Sequence, residues 1–332
     1  MNQTLRAPRR FLVTGVAGFV GSHVAEALVR QGDQVVGIDG FVHSYARRWK
    51  QANLAWLRQQ PTFRFVEADL RTASLDHALH DVDVVVHEAA FAGLPRSWTD
   101  LAAYVECNVI GLGRLIDAAA RAGVSRFVHA STSSVYGVEA VGDETRPTHP
   151  VSPYGVSKLA AEELLLAHVH ERGFPATILR YFSIYGPRQR PDMAYRIFME
   201  RLADGRELVV HGDGMQSRSN TYVSDCVDAT LAAVDHGRLG EAYNVGGGEE
   251  LRLLDAIGII ADALGVTPRI VHRDSRPGDQ RRTVADVSKA RRELGYEPRV
   301  RPEEGLRAQL EWLLSVRPSG VDAAARRLAA RS

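Results

Sequence analysis

Short apolar runs alternate with amphipathic stretches through the first half of the chain. Phe11-Leu12-Val13, Val35-Val36, Phe63 to Val66, Val82 to Val86 and Phe127-Val128 are too short for helices and are bounded by polar or glycine positions. They read as buried strands. Ser22 to Arg30, Ala103 to Arg121 and Tyr154 to Arg172 carry apolar residues at helical spacing. This alternation, which runs to about Tyr181, predicts an α/β fold: a doubly wound parallel sheet with helices on both faces. A chain of 332 residues has room for that unit and a smaller second lobe. After Phe182 the alternation loosens and Gly, Pro and Arg become frequent. Binding residues concentrate on such loops, so substrate contacts are expected there.

Between the first strand and the first helix stands Gly15-Val16-Ala17-Gly18-Phe19-Val20-Gly21. A glycine-rich strand-to-helix turn lets the backbone approach a pyrophosphate at a helix N-terminus. The spacing is G-x-x-G-x-x-G rather than G-x-G-x-x-G, so a plain tight turn is the competing reading. The second strand, Gln34 to Ile38, ends at Asp39, before Gly40. A carboxylate there accepts hydrogen bonds from ribose hydroxyls and repels a 2′-phosphate, which favours NAD over NADP.

Ser131, Thr132, Ser133 and Ser134 follow the apolar run that ends at His129. The carboxyl end of a parallel strand is where open α/β sheets bind ligands; a Ser/Thr-rich loop is the bland alternative. Further on, Tyr154 and Lys158 stand at i and i+4 of a helical stretch, on one face. A free phenol has a pKa of about 10 and is a poor base at neutral pH. A neighbouring ammonium is expected to lower that value and to fit the phenol for proton transfer at an alcohol.

Through these motifs the chain resembles the extended short-chain dehydrogenase/reductases, in the NAD-dependent nucleotide-sugar epimerase and dehydratase group. The resemblance covers about residues 10 to 315. It rests on Thr14-Gly15-x-x-Gly18-x-x-Gly21, Asp69-Leu70, His87-Glu88-Ala89-Ala90, Asn108-Val109, Ser131 to Gly137, Tyr154 to Lys158 and Tyr181-Phe182. It continues through Gly186-Pro187-Arg188, His211 to Gly214, Tyr222 to Asp225 and Arg276-Pro277-Gly278-Asp279. It implies a Rossmann-type NAD domain over residues 1–182 and 220–245, a smaller α/β UDP-sugar lobe over 183–219 and 246–315, and a tail over 316–332. It also implies that Gly15, Gly18, Phe19, Val20, Gly21, Asp39, Gly40, Asp69, Leu70, Ala89, Ala90, Asn108, Tyr154, Lys158 and Phe182 hold NAD.

The chemistry implied is transient oxidation at a sugar C4. Tyr154 takes the hydroxyl proton, Thr132 orients the same oxygen, and Lys158 holds the nicotinamide ribose. Family members that eliminate water carry Asp-Glu directly after the catalytic Thr, where this chain has Ser133 and Ser134. UDP-glucuronate decarboxylases carry Glu in place of Ser134. The sequence thus points to UDP-glucuronate 4-epimerisation. UDP-glucose/UDP-galactose epimerisation is the alternative, then decarboxylation; a non-catalytic NAD sensor is the reading from another class. For a uronate, Ser133, Ser134 and Ser183 would grip the carboxylate with Arg190 in support. Arg218 and Arg276 are the candidates for the diphosphate, and Asp279 for the uridine ribose. Pro95 stands where relatives usually have valine, which puts the contacts of its loop in question.

Charge narrows the partners. The formal net charge is +1, so nothing electrostatic favours nucleic acid or an anionic membrane. No apolar run is long enough to span a bilayer. Met1 to Arg10 lacks the apolar core of a signal peptide. Cys107 and Cys226 have no metal or redox spacing, and no metal set is visible. A cytoplasmic protein is expected, and the resemblance implies a homodimer.

Overall fold

The computed structural model describes residues 7–42, 44–275 and 280–317. Its centre is a seven-stranded, all-parallel sheet. The spatial order is Ala242–Val245, Ala176–Tyr181, Arg126–Thr132, Val84–His87, Arg10–Thr14, Gln34–Asp39 and Phe63–Glu67. The strands read as continuous apolar runs because both faces are covered. Phe11, Val13, Val84 and Val86 enter one core cluster, while Leu12 and Val85 point into the other. Helices Phe19–Arg30 and Val223–His236 cover the first face, and Gly111–Ala122 and Pro153–Arg172 the second. On Gly111–Ala122, the buried stripe is Leu112, Leu115, Ile116 and Ala119. Each large side chain there contributes about 1.5–3 kcal/mol by leaving water.

Arg10–Thr14 connects to Gln34–Asp39 on one side and pairs with Val84–His87 on the other, so the winding reverses between them. That reversal opens a crevice at the carboxyl ends of the strands, the usual ligand position in such sheets.

Two departures from the sequence reading shape this crevice. The stretch predicted as one helix from Ala103 to Arg121 is Leu101–Val105, a π-helical turn at Glu106–Ile110, then Gly111–Ala122. Wider turns of this kind recur at functional sites. Here the turn lets Asn108 bond the backbone of Phe91 in both directions, at 2.7 and 3.0 Å. The strand after Val124 also runs further than predicted, to Thr132, and Ser133–Tyr136 forms a 3₁₀ turn. Pro95 lies in the first turn of a short helix, Leu94–Ser97, where a missing N–H costs nothing.

A third cluster packs Tyr195, Phe198, Met199, Ile257, Ile260, Leu310 and Leu313, from helices Ala194–Ala203, Leu253–Leu264 and Pro302–Val316. Beside it runs a small sheet in the order Leu251–Arg252, Ser217–Arg218, Arg282–Ala285, Glu139–Gly142. Glu139–Gly142 comes from the first part of the chain, so the two parts interleave there. Among the described residues no helix is long and apolar enough to cross a membrane.

Candidate active site

The crevice is a cavity of about 410 Å³. At one end lies the glycine turn. Gly15 has φ +67°, and a Cβ on it would meet the Ala89 backbone at 2.8 Å. A Cβ on Gly21 would come within 2.5 Å of the Gly15 carbonyl. Both positions demand glycine. The turn delivers Phe19, Val20 and Gly21 to the cavity wall at the start of Phe19–Arg30, a helix that no side chain caps. Its first N–H groups suit an anion.

Asp39 and Gly40 line the same end. Asp39 Oδ1 accepts the Phe41 N–H at 2.7 Å and lies 3.2 Å from Lys50 Nζ, a buried partner that the sequence reading missed. Asp69, Leu70, Ala89 and Ala90 line the cavity too. Arg71 holds Asp69 with Nε and Nη2, the latter at 2.7 Å, and keeps its carboxyl below the usual range.

At the other end stand Thr132, Ser133, Ser134, Tyr154, Lys158, Ser183, Arg190 and Arg218. Ser152 caps the helix that carries Tyr154 and Lys158, accepting the Gly155 N–H at 3.1 Å, with Pro153 in the first turn. Thr132 Oγ1 lies 3.3 Å from Ser134 Oγ and accepts the Ser134 N–H at 3.2 Å. Ser183 sits at φ +32°, a conformation rare for a residue with a side chain. Arg190 grips Asp192 with Nε and Nη2, at 3.0 and 2.9 Å.

The expected effect of Lys158 on Tyr154 is not what the structure gives. Burial pushes the phenol up; a hydrogen bond with Thr132 and the charge of Arg190 pull the other way. Lys158 is turned to the neighbouring strand, where Nζ donates to the Ala130 carbonyl at 2.7 Å and lies 3.3 Å from His129 Nε2. Burial lowers its own pKa to about 8.

The NAD dependent epimerase/dehydratase family model matches residues 11–246. A relative named as an uncharacterized UDP-glucose epimerase, YtcB of Bacillus subtilis, is 39% identical over 92% of this chain and 98% of its own. A dTDP-glucose 4,6-dehydratase of Streptomyces griseus is 35% identical over 91% of this chain and 93% of its own. The solved UDP-glucuronic acid 4-epimerase of Bacillus cereus, in complex with UDP-glucuronic acid and NAD, has a TM-score of 0.90 at 37% identity, covering 93% of this chain and 100% of that one. The chain belongs to the NAD-dependent epimerase/dehydratase family.

The residues present fit the cofactor of that family. The uncapped helix start and Asp39 line one end of the cavity, and Lys158 and Tyr154 stand at the other. Two residues that the resemblance assigned to NAD lie off the wall. Phe182 is fully buried in a cluster with Val135, Tyr136 and Ala140; its neighbours Tyr181 and Ser183 line the cavity instead. Phe182 follows the last residue of the Ala176–Tyr181 strand and turns its ring into that cluster. Asn108 is also buried and acts behind the wall, bonding Phe91 and, at 3.0 Å, Ser157. Arg276 and Asp279 lie outside the described residues. Arg218 Nη2 donates to the Gln280 carbonyl at 2.8 Å and borders both the main cavity and a smaller one beside it. Cys107 lines the cavity and Cys226 is buried.

Sequence reasoning also missed a buried polar group behind the hydroxyls. Ser131 donates to Glu162, which pairs with Arg180. Arg180 in turn donates to the Tyr136 hydroxyl at 2.8 Å. The signal was present: Arg180 is a charge inside a strand whose other positions read as buried. Glu88 also lines the cavity, accepting from the Tyr181 hydroxyl at 2.7 Å, and burial pushes it up to about 7.

Proposed function

We propose that the chain is a UDP-glucuronate 4-epimerase that interconverts UDP-glucuronate and UDP-galacturonate with retained NAD. The observation that carries this reading is the chemistry around Thr132 and Tyr154. Ser133, Ser134, Ser183 and Arg190 share their stretch of wall, and the two positions after Thr132 hold hydroxyls rather than carboxyls. A hydroxyl is no acid–base group at neutral pH, so elimination of water lacks its agents there. The same hydroxyls and the guanidinium suit a carboxylate. The likeness to the solved UDP-glucuronic acid 4-epimerase supports the same reading.

NAD, when bound, supplies a hydride acceptor and donor for C4. Tyr154 takes the C4 hydroxyl proton and later returns it; Thr132 holds the oxygen. The 4-keto uronate so formed is a β-keto acid, which loses CO₂ fastest when its carboxylate bond stands perpendicular to the ketone plane. Ser133, Ser134 and Ser183 hold the carboxylate away from that geometry, and Arg190 supports it. Asp192 fixes the fork of Arg190 through Nε and Nη2, which leaves Nη1 for a ligand. Turning the ketone within the site would present its other face, so that the alcohol re-formed at C4 has the opposite configuration. Arg218, Arg276 and Asp279 hold the UDP. Leu101, Val105 and Ile110, on Leu101–Val105 and the π turn after it, and Val156, on Pro153–Arg172, are exposed, and they fit burial in a homodimer.

Conversion of a neutral hexose is the second reading, favoured by the 39% identity to a protein named as a UDP-glucose epimerase. Incubating the purified protein with UDP-glucuronate and UDP-glucose in parallel separates the two. UDP-galacturonate from the first substrate supports the uronate reading, and turnover of UDP-glucose alone overturns it.

A further inference from the structure

His129 and His87 face each other across neighbouring parallel strands as register partners. Their rings stack at 5.2 Å and 25°, and both are buried. His87 is tied to the glycine turn through Thr14 Oγ1 at 2.7 Å. His129 reaches the other way, with Nε2 3.3 Å from Lys158 Nζ.

An ammonium has only donors, three of them. The Ala130 carbonyl takes one at 2.7 Å. His129 can take a second only through an unprotonated Nε2, so its proton must sit on Nδ1. That atom is buried without a partner among the described residues. A buried donor left unsatisfied is rare in folded proteins and calls for a reason. The bond to Lys158 supplies one.

We propose that His129 is a positioning residue for Lys158: its neutral ring accepts one ammonium proton, holds the ammonium in its charged form, and leaves the third N–H directed into the cavity. The inference rests on the proposed function only in that Lys158 belongs to the reacting site.

The other groups around Lys158 are accounted for. Glu88, at the end of the Val84–His87 strand, and Glu162, on the same helix as Lys158, both favour its charged form. Glu162 is already bound by Arg180 and Ser131, and Glu88 by Tyr181. Burial opposes the charge and is the larger influence. Burial also keeps both histidines neutral, His87 near 3 and His129 well below its ordinary value. His129 therefore adds an acceptor without adding a competing positive charge.

The chain has only three lysines, Lys50, Lys158 and Lys289, which makes a direct test practical. Protein grown with [ε-¹³C]lysine gives three Cε signals, assigned with K50R and K289R. In the intact protein Lys158 is expected to titrate near pH 8. Losing a hydrogen bond to a charged group should move the midpoint of H129F down by about one pH unit. H129Q carries an acceptor at the position of Nε2 and should restore it. The alkaline limb of the turnover profile should follow the same order. An unmoved midpoint in H129F overturns the proposal, as does an H129Q midpoint shifted as far as that of H129F. The unmodified protein offers a second test. Its ¹⁵N imidazole spectrum should show His129 as the Nδ1–H tautomer, and an Nε2–H tautomer refutes the inference even if neither variant folds. Both spectra need no substrate, so a wrong substrate assignment leaves this test intact.

Discussion

Arg180 grips Glu162 with Nε at 3.2 Å and Nη2 at 2.7 Å in the buried centre of the molecule, directly behind Ser131. The pair ties the helix that carries Tyr154 and Lys158 to the sheet one turn beyond Lys158. Breaking a buried ion pair from one side strands the other charge and costs about 3–5 kcal/mol. R180A should lose stability on that scale in urea unfolding. E162Q/R180M, which removes both charges, should recover most of the loss. Equal loss in the single and double variants would show that the pair does not act as a unit.

Tyr154 is the group assigned to move the proton, and its hydroxyl bonds Thr132 and feels the charge of Arg190. Y154F should therefore keep its fold and its bound dinucleotide while turnover falls about 10²–10⁴-fold. Steady-state kinetics together with dinucleotide content per protomer check this. A non-catalytic role would leave the function of Y154F unchanged.

The ribose end of the cavity has its own test. Asp39 repels a 2′-phosphate, but Lys50 lies 3.2 Å from it, within the same wall. D39A removes the acceptor for ribose hydroxyls and leaves the ammonium facing the site. NAD should bind about 10–100-fold more weakly, as expected for loss of charge-assisted bonds. NADP binding should improve. Titration calorimetry with each dinucleotide reads both, and an unchanged NAD-to-NADP preference would contradict the role given to Asp39.

How far these features were legible before the structure depends on how local they are. The strands around Phe11-Leu12-Val13 and Val84-Val85-Val86 announce themselves, because burial on two faces leaves nothing but apolar positions. Gly15 was legible for a similar reason: its φ of +67° and its contact with Ala89 exclude other residues. The direction of Lys158 was not. Sharing a helix face with Tyr154 fixes only where its Cα lies, while the carbonyl of Ala130 and the ring of His129, on another strand, decide where Nζ points. The π turn at Glu106–Ile110 was hidden as well, since it comes from tertiary packing of Asn108 against Phe91 and not from any local pattern.

Glu88 and Lys158 make the stability of the cofactor-free protein depend on pH in opposite senses. Burial raises Glu88 from 4.5 to about 7, so between those values the folded state holds a proton that the unfolded chain has released. Stability therefore falls as pH rises through that window, and the loss is complete above about 7. Lys158 is lowered from 10.5 to about 8, so stability is regained as pH rises from 8 toward 10.5. E88Q should abolish the first slope and stabilise the protein at pH 8 by about 1–3 kcal/mol. Urea unfolding at a series of pH values reads the effect; a slope that persists in E88Q would assign it to another group.

In the proposed reaction C4 is oxidised and reduced again within one site, with the carboxylate held throughout. UDP-[4-²H]glucuronate is the substrate that reports on it. UDP-galacturonate should carry the deuterium at C4, with no exchange of that label with solvent and no CO₂. Loss of the label to water, or release of CO₂ with a UDP-pentose product, would contradict it.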